Sequence, residues 1–174
     1  MKLKRILAMA LIILAGAFFQ FGVFANSPLI DTVPNILLII TVSFGFMKGK
    51  NQGMAVGFFC GLIVDIISMN AVGFHMIIYI IIGYINGGLH QWMYSDYIVF
   101  PLIVTTFSSF LYCLYLYCFQ FLVRNRLNFV FYLMNIILPE VIYTVILTGV
   151  IYQLLSFINY KLEMTERRSA TKFV

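Results

Sequence analysis

Six apolar runs follow one another along this chain, separated by polar breaks of only a few residues. They cover about residues 6–25, 29–47, 53–69, 74–89, 98–122 and 134–158. A helix needs about 20 apolar residues to cross the hydrocarbon core of a bilayer. The predicted fold is therefore all-α, a polytopic membrane protein of about six transmembrane helices. Residues 1–174 form one integral-membrane domain, with no length left for a soluble one. Composition agrees, with 63% hydrophobic and 10% charged residues, against about 45–50% and about 25% in soluble domains.

The breaks carry the punctuation expected between helices. Asn26-Ser27-Pro28 ends the first run, Lys48-Gly49-Lys50-Asn51-Gln52 separates the second from the third, and Asn70-Ala71-Val72-Gly73 makes a tight turn. Basic residues set the orientation, because positive loops stay on the cytoplasmic side. Six spans put Lys2, Lys4, Arg5, Lys48, Lys50, Lys161, Arg167, Arg168 and Lys172 on one side, and only Arg124 and Arg126 on the other, with Asp31. Both termini are thus expected in the cytoplasm. The net charge of +5 is a topology signal, and scattered loop charges give no reason to expect nucleic acid as a partner. The basic start, the apolar run and Val23-Phe24-Ala25 also resemble a cleavable secretory signal. That run is longer than the roughly 7–15 residues of a signal core, and its removal would upset the charge balance, so retention is expected.

Within the third run, Gly53, Gly57 and Gly61 recur every four residues, and the next step of four lands on Asp65. On a helix of about 3.6 residues per turn these positions share one stripe. Small residues so spaced let a second helix approach closely in lipid. Gly83 and Gly87 repeat the spacing in the fourth run. These five glycines are helix-packing or partner-binding candidates, with packing inside the chain the favoured use.

Ionisable and polar residues inside a span are costly and mark candidate sites. Asp65 could serve as a proton or ligand site, or cap the neighbouring turn near the outer interface. The second reading is favoured because no Lys, Arg or His falls at comparable depth, and His75 could partner it across the turn. Glu140 follows Pro139, and proline is best tolerated in a helix's first turn. The last helix could begin there, with Glu140 favoured by the helix dipole and residues 128–138 as a separate or kinked aromatic segment. Cys60, Cys113 and Cys118 sit in apolar runs and read as small buried hydrophobes. Nucleophile, zinc and phosphate-loop motifs are missing, and His75 and His90 are too few for a metal cluster. No enzyme activity and no cofactor are expected.

The run Val33-Pro34-Asn35-Ile36-Leu37-Leu38-Ile39, then Lys48-Gly49 and Gly53, then Gly57 to Asp65-Ile66, then Gly73 and the stretch from Tyr79 to Gly83-Tyr84 together resemble the rod-shape-determining membrane protein family MreD. That family's pattern is a Pro-Asp/Asn start to the second helix, a basic-Gly turn, a Gly-rich third helix ending in Leu-x-Asp, a Gly turn and a Gly-Tyr in the next helix. The likeness covers about Val33 to Gly88. Asn35 stands where many relatives carry Asp, which speaks against an essential acid at that position.

The resemblance implies a non-enzymatic subunit of the bacterial cell-elongation complex, in the cytoplasmic membrane. It implies binding to MreC, a single-span protein, alongside MreB, RodA and a class B penicillin-binding transpeptidase. MreD-like proteins are also similar to the substrate-binding subunits of energy-coupling-factor vitamin transporters, which is the alternative function. Such a transporter would show convergent polar groups in a pocket, and Asn86, Gln120, Asn135 and Glu140 are the few available.

Overall fold

A computed structural model of the chain describes residues 2–25, 32–69, 73–92, 99–119 and 129–170. Among these every regular element is a helix. Helix α1 (Lys2–Ala17) continues as a π-helical segment, Phe18–Phe24. It is followed by α2 (Ile36–Lys48), α3 (Lys50–Ile67), α4 (Phe74–Gly88) with a 3-10 turn at Leu89–Trp92, and α5 (Val99–Tyr117). The last rod joins α6 (Phe129–Tyr132), a π segment (Leu133–Ile137) and α7 (Leu138–Ala170). The loops bearing Asp31, residues 70–72, Gln120, Arg124 and Arg126 lie outside the described residues.

Four of these helical stretches are long and apolar enough to cross a membrane, namely Arg5–Phe24, Lys50–Ile67, Val99–Tyr117 and Val130–Leu162. The other two apolar helices, α2 and α4, have 13 and 15 residues, so each is about 20–22 Å long. Of the six spans expected, four are long enough by length and composition to cross, and two are shorter apolar helices.

Helix α2 is the centre of the molecule. Every residue from Ile36 to Met47 is buried, as expected for a helix apolar on all sides. Helices α1, α3, α4, α5 and α7 pack around it, with α3 against α4, α4 against α5 and α5 against α7. The ring is loosest between α7 and α1.

Because α2 begins inside this ring, its first N–H groups need protein acceptors, since lipid supplies none. Asn35 caps the helix through Oδ1, which accepts the Leu38 N–H at 3.1 Å. The Leu37 N–H donates to Gln20 Oε1 at 2.9 Å. At its other end α2 joins α3 through Gly49 alone, whose φ of +87° favours a residue without Cβ.

The last rod departs from the expected break at Pro139. Leu138 keeps right-handed helical dihedrals where the π segment meets α7, so the helix runs on through the proline. Proline lacks an N–H and crowds the carbonyl one turn earlier, and the widened π turn sits where that strain falls. Glu140 is in the first turn of α7, but that turn is continuous with the helix before it. The dipole argument, which needs a free helix start, does not apply to it.

Candidate functional site

Asp65, near the end of α3, is 1% exposed and sits beneath the start of α4. Its Oδ2 accepts the Gly73 N–H at 2.8 Å and the Met76 N–H at 3.2 Å. Its Oδ1 accepts the His75 N–H at 2.8 Å and lies 2.8 Å from His75 Nδ1. A carboxylate with two acceptor oxygens thus satisfies three N–H groups at a helix start, where both the orphan donors and the dipole favour a negative charge. Gly73 adopts φ +107°, which turns the chain so that these N–H groups face α3.

His75 extends the polar contact inward. Its ring centroid lies 6.2 Å from that of Tyr112 on α5, and Tyr112 meets Tyr79 of α4 edge to face at 5.6 Å. The Tyr79 hydroxyl donates to Asn35 Oδ1 at 2.6 Å. The Asn35 N–H in turn donates to Thr144 Oγ1 on α7 at 3.1 Å. Thr144 is one turn beyond Glu140, which stands in the first turn of α7. A line of polar groups therefore runs from Asp65 on α3 through α4, α5 and α2 to α7. It joins Asp65, His75 and Asn35, three of the candidates named from sequence, and ends one turn from the fourth, Glu140. A second link ties α4 to α5, where Asn86 Nδ2 donates to Ser108 Oγ at 2.9 Å and to the Ile82 carbonyl at 2.8 Å.

The glycines do a different job. A Cβ at Gly53 would strike the Gly83 carbonyl and come 2.7 Å from Gly45 Cα. One at Gly57 would strike the Tyr79 carbonyl, and one at Gly61 the Met76 backbone. Gly83 faces Gly53 in return, and a Cβ at Gly87 would lie 2.5 Å from Lys50 Cα. The two glycine stripes are pressed against each other's backbone, so neither is free for a partner's helix. They serve the internal α3–α4 contact.

The sequence reading missed the third member of this contact, Gly45 of α2, although Gly45 and Gly49 continue the four-residue spacing of Gly53, Gly57 and Gly61; the polar break from Lys48 to Gln52 separates it from that stripe. It also missed Gln20, Tyr112 and Thr144. Gln20 is the one polar residue in Phe18–Phe24, which is a usable signal, whereas Tyr112 is one tyrosine among eleven. Cys60 and Cys113 are buried, but Cys118 is exposed, against the expectation that all three would be inside. No group of three or more His, Cys, Asp or Glu side chains that could hold a metal ion occurs among the described residues.

Where the ring around α2 is loosest, an apolar cavity of about 410 Å³ opens between α1 and α7. Its floor is Ile36 and Ile40, and its walls include Leu11, Phe19, Ile151 and Leu154.

The sequence profile of the rod shape-determining protein MreD matches residues 2–161, so it takes in every element that builds the polar line, the glycine contact and the cavity. The chain belongs to the MreD family. No curated protein and no solved structure matches it. Membership in MreD assigns a role in rod-shape determination, and together with the four long apolar helices it makes the chain a membrane protein. The profile match reaches well beyond the Val33–Gly88 stretch that carries the motifs, into α7.

Proposed function

We propose that this MreD-family chain is a non-enzymatic, multi-pass subunit of the cell-elongation complex in the bacterial cytoplasmic membrane. In this reading it binds MreC and, with MreB, RodA and a class B penicillin-binding transpeptidase, helps organise lateral peptidoglycan synthesis. Both termini face the cytoplasm, as the basic residues demand. The observation that carries the reading is the family match over residues 2–161.

The cavity between α1 and α7 is the docking face for MreC's single span. The glycine stripes are already filled by each other, whereas this cleft runs along both helices, from Leu11 to Phe24 on one and Leu147 to Ile158 on the other. It is apolar along its length, with the small residues Ala15 and Gly16 among its lining, which suits van der Waals packing of a helix in lipid. Transport of a small molecule has less support. Ligand sites combine an apolar cavity with a few free polar groups, and here Asn35 and Asn86 are each engaged by other side chains.

Photo-crosslinking tests this reading. A photoreactive residue at Leu11 or Leu154 should yield an adduct with MreC in membranes, and one at Phe58 or Ile81 on the opposite wall should not. Adducts from the opposite wall alone would move the docking face. Recovery of a cytoplasmic ATPase pair with a bound vitamin, and no wall-synthesis protein, would overturn the function. An active alkaline phosphatase fused after Val174 would overturn the orientation.

A further inference from the structure

Two polar levels cut across α2, α3 and α4, and they lie unusually close together. One level contains Lys48 at the end of α2, Lys50 at the start of α3 and His90 just after α4. His90 holds the level together, since its Nδ1 lies 2.7 Å from the Phe46 carbonyl. The other level contains Asn35 before α2, Asp65 near the end of α3 and His75 at the start of α4. From Asn35 to Lys48, from Lys50 to Asp65 and from His75 to His90, the rise is about 20–22 Å in each helix at 1.5 Å per residue.

The outer surface of the same helices has nearly the same span. On α3 the exposed face begins after Asn51 and reaches the exposed Ser68, which is about 25 Å. On α4, Lys50 Nζ sits 5.2 Å from the centroid of the Tyr84 ring. An ammonium and a tyrosine together are the side chains that settle at a membrane interface, and they lie a full turn before α4 ends. Between these limits the face is apolar, with Phe58, Phe59, Ile66, Ile77 and Ile81 exposed. The opposite side of α2 carries Val130–Leu162, an apolar stretch of 33 residues.

We infer that the α3–α4 wall is fitted to a hydrocarbon layer of only about 20–25 Å, thinner than the roughly 30 Å average, so that the bilayer thins along this side of the molecule. The partner of this surface is lipid with short acyl chains. The inference rests on the multi-pass reading above. Thinning follows because the Lys50 charge, the Asn51 amide and the non-helical backbone that ends α3 at Ser68 and precedes α4 at Gly73 cannot be drawn into hydrocarbon without large cost, whereas lipid can compress at a fraction of a kcal/mol per Å. The glycine contacts keep α3 and α4 backbone to backbone, so neither helix can slide to lengthen the wall.

The test uses the full chain reconstituted in phosphatidylcholine vesicles of dimyristoleoyl, dioleoyl or dierucoyl chains, with thermal loss of helicity followed by circular dichroism. The midpoint should be highest in the dimyristoleoyl vesicles and fall as the chains lengthen. A double variant, Asn51→Leu with Ser68→Leu, lengthens the apolar face of α3 at both ends and should move the optimum to dioleoyl. A parent optimum in dioleoyl or dierucoyl vesicles, or a variant whose optimum does not move, overturns the inference. If alkaline carbonate strips the protein from the vesicles, the multi-pass reading falls and the inference with it.

Discussion

The Asp65 carboxylate lies 2.8 Å from both the backbone nitrogen and Nδ1 of His75, so one side chain fixes both the start of α4 and the orientation of the His75 ring. This pair closes the outer corner of the α3–α4 contact, and the glycine stripes close the remainder. The two devices depend on each other. Close backbone approach brings Asp65 within reach of the α4 N–H groups, and the carboxylate holds the helix in that register.

Replacing Asp65 by Ala should therefore destabilise the protein by about 2 kcal/mol or more, since hydrogen bonds to a charged group are worth about 1.5–3 kcal/mol each. Asp65→Asn should cost less, because one oxygen still accepts. His75→Ala should cost least, because it leaves the backbone bonds in place. Unfolding of the purified protein in a denaturing detergent titration measures this order. Equal losses for all three variants would show that the capping geometry is not the source.

At Gly53, Gly57 and Gly83 even alanine should destabilise, because the added carbon meets backbone that cannot turn aside. Gly149 supplies the control. Nothing lies within 4 Å of a Cβ there, so Gly149→Ala should be neutral or stabilising by up to about 1 kcal/mol. Midpoint shifts in the same titration separate the two classes.

Tyr79→Phe removes the hydroxyl that donates to Asn35 and should cost about 1 kcal/mol. Asn35→Ala should cost more, because it also uncaps α2. The double variant should be less destabilised than the sum of the two, with a coupling of about 0.5 kcal/mol or more. Strict additivity would mean that the Tyr79–Asn35 bond contributes nothing to stability.

Leu11→Trp and Leu154→Trp point into the cleft from residues 70% and 56% exposed. Each should lower capture of MreC at least tenfold, or about 1.4 kcal/mol, with little change in the unfolding midpoint. Capture assayed from detergent extracts against the parent checks both halves of this expectation.

The sequence by itself determined the class of fold and the local devices. A chain this apolar can satisfy its backbone in lipid only by forming helices, and periodicity placed Gly53, Gly57 and Gly61 on one stripe ending at Asp65. Proximity along the chain made His75 a natural partner, because a single turn separates the two helices. Residue preference reports on a segment alone, so it could give Pro139 as a place for the last helix to begin but could not say how deeply α2 is enclosed. Only tertiary structure decided that α2 would be enclosed on every side, that a π turn would carry the last helix through Pro139, and that the two glycine stripes would consume each other. The bond between Asn35 and Thr144 joins residues 109 positions apart. No local pattern encodes such a contact, because it depends on the order in which five helices close around the sixth.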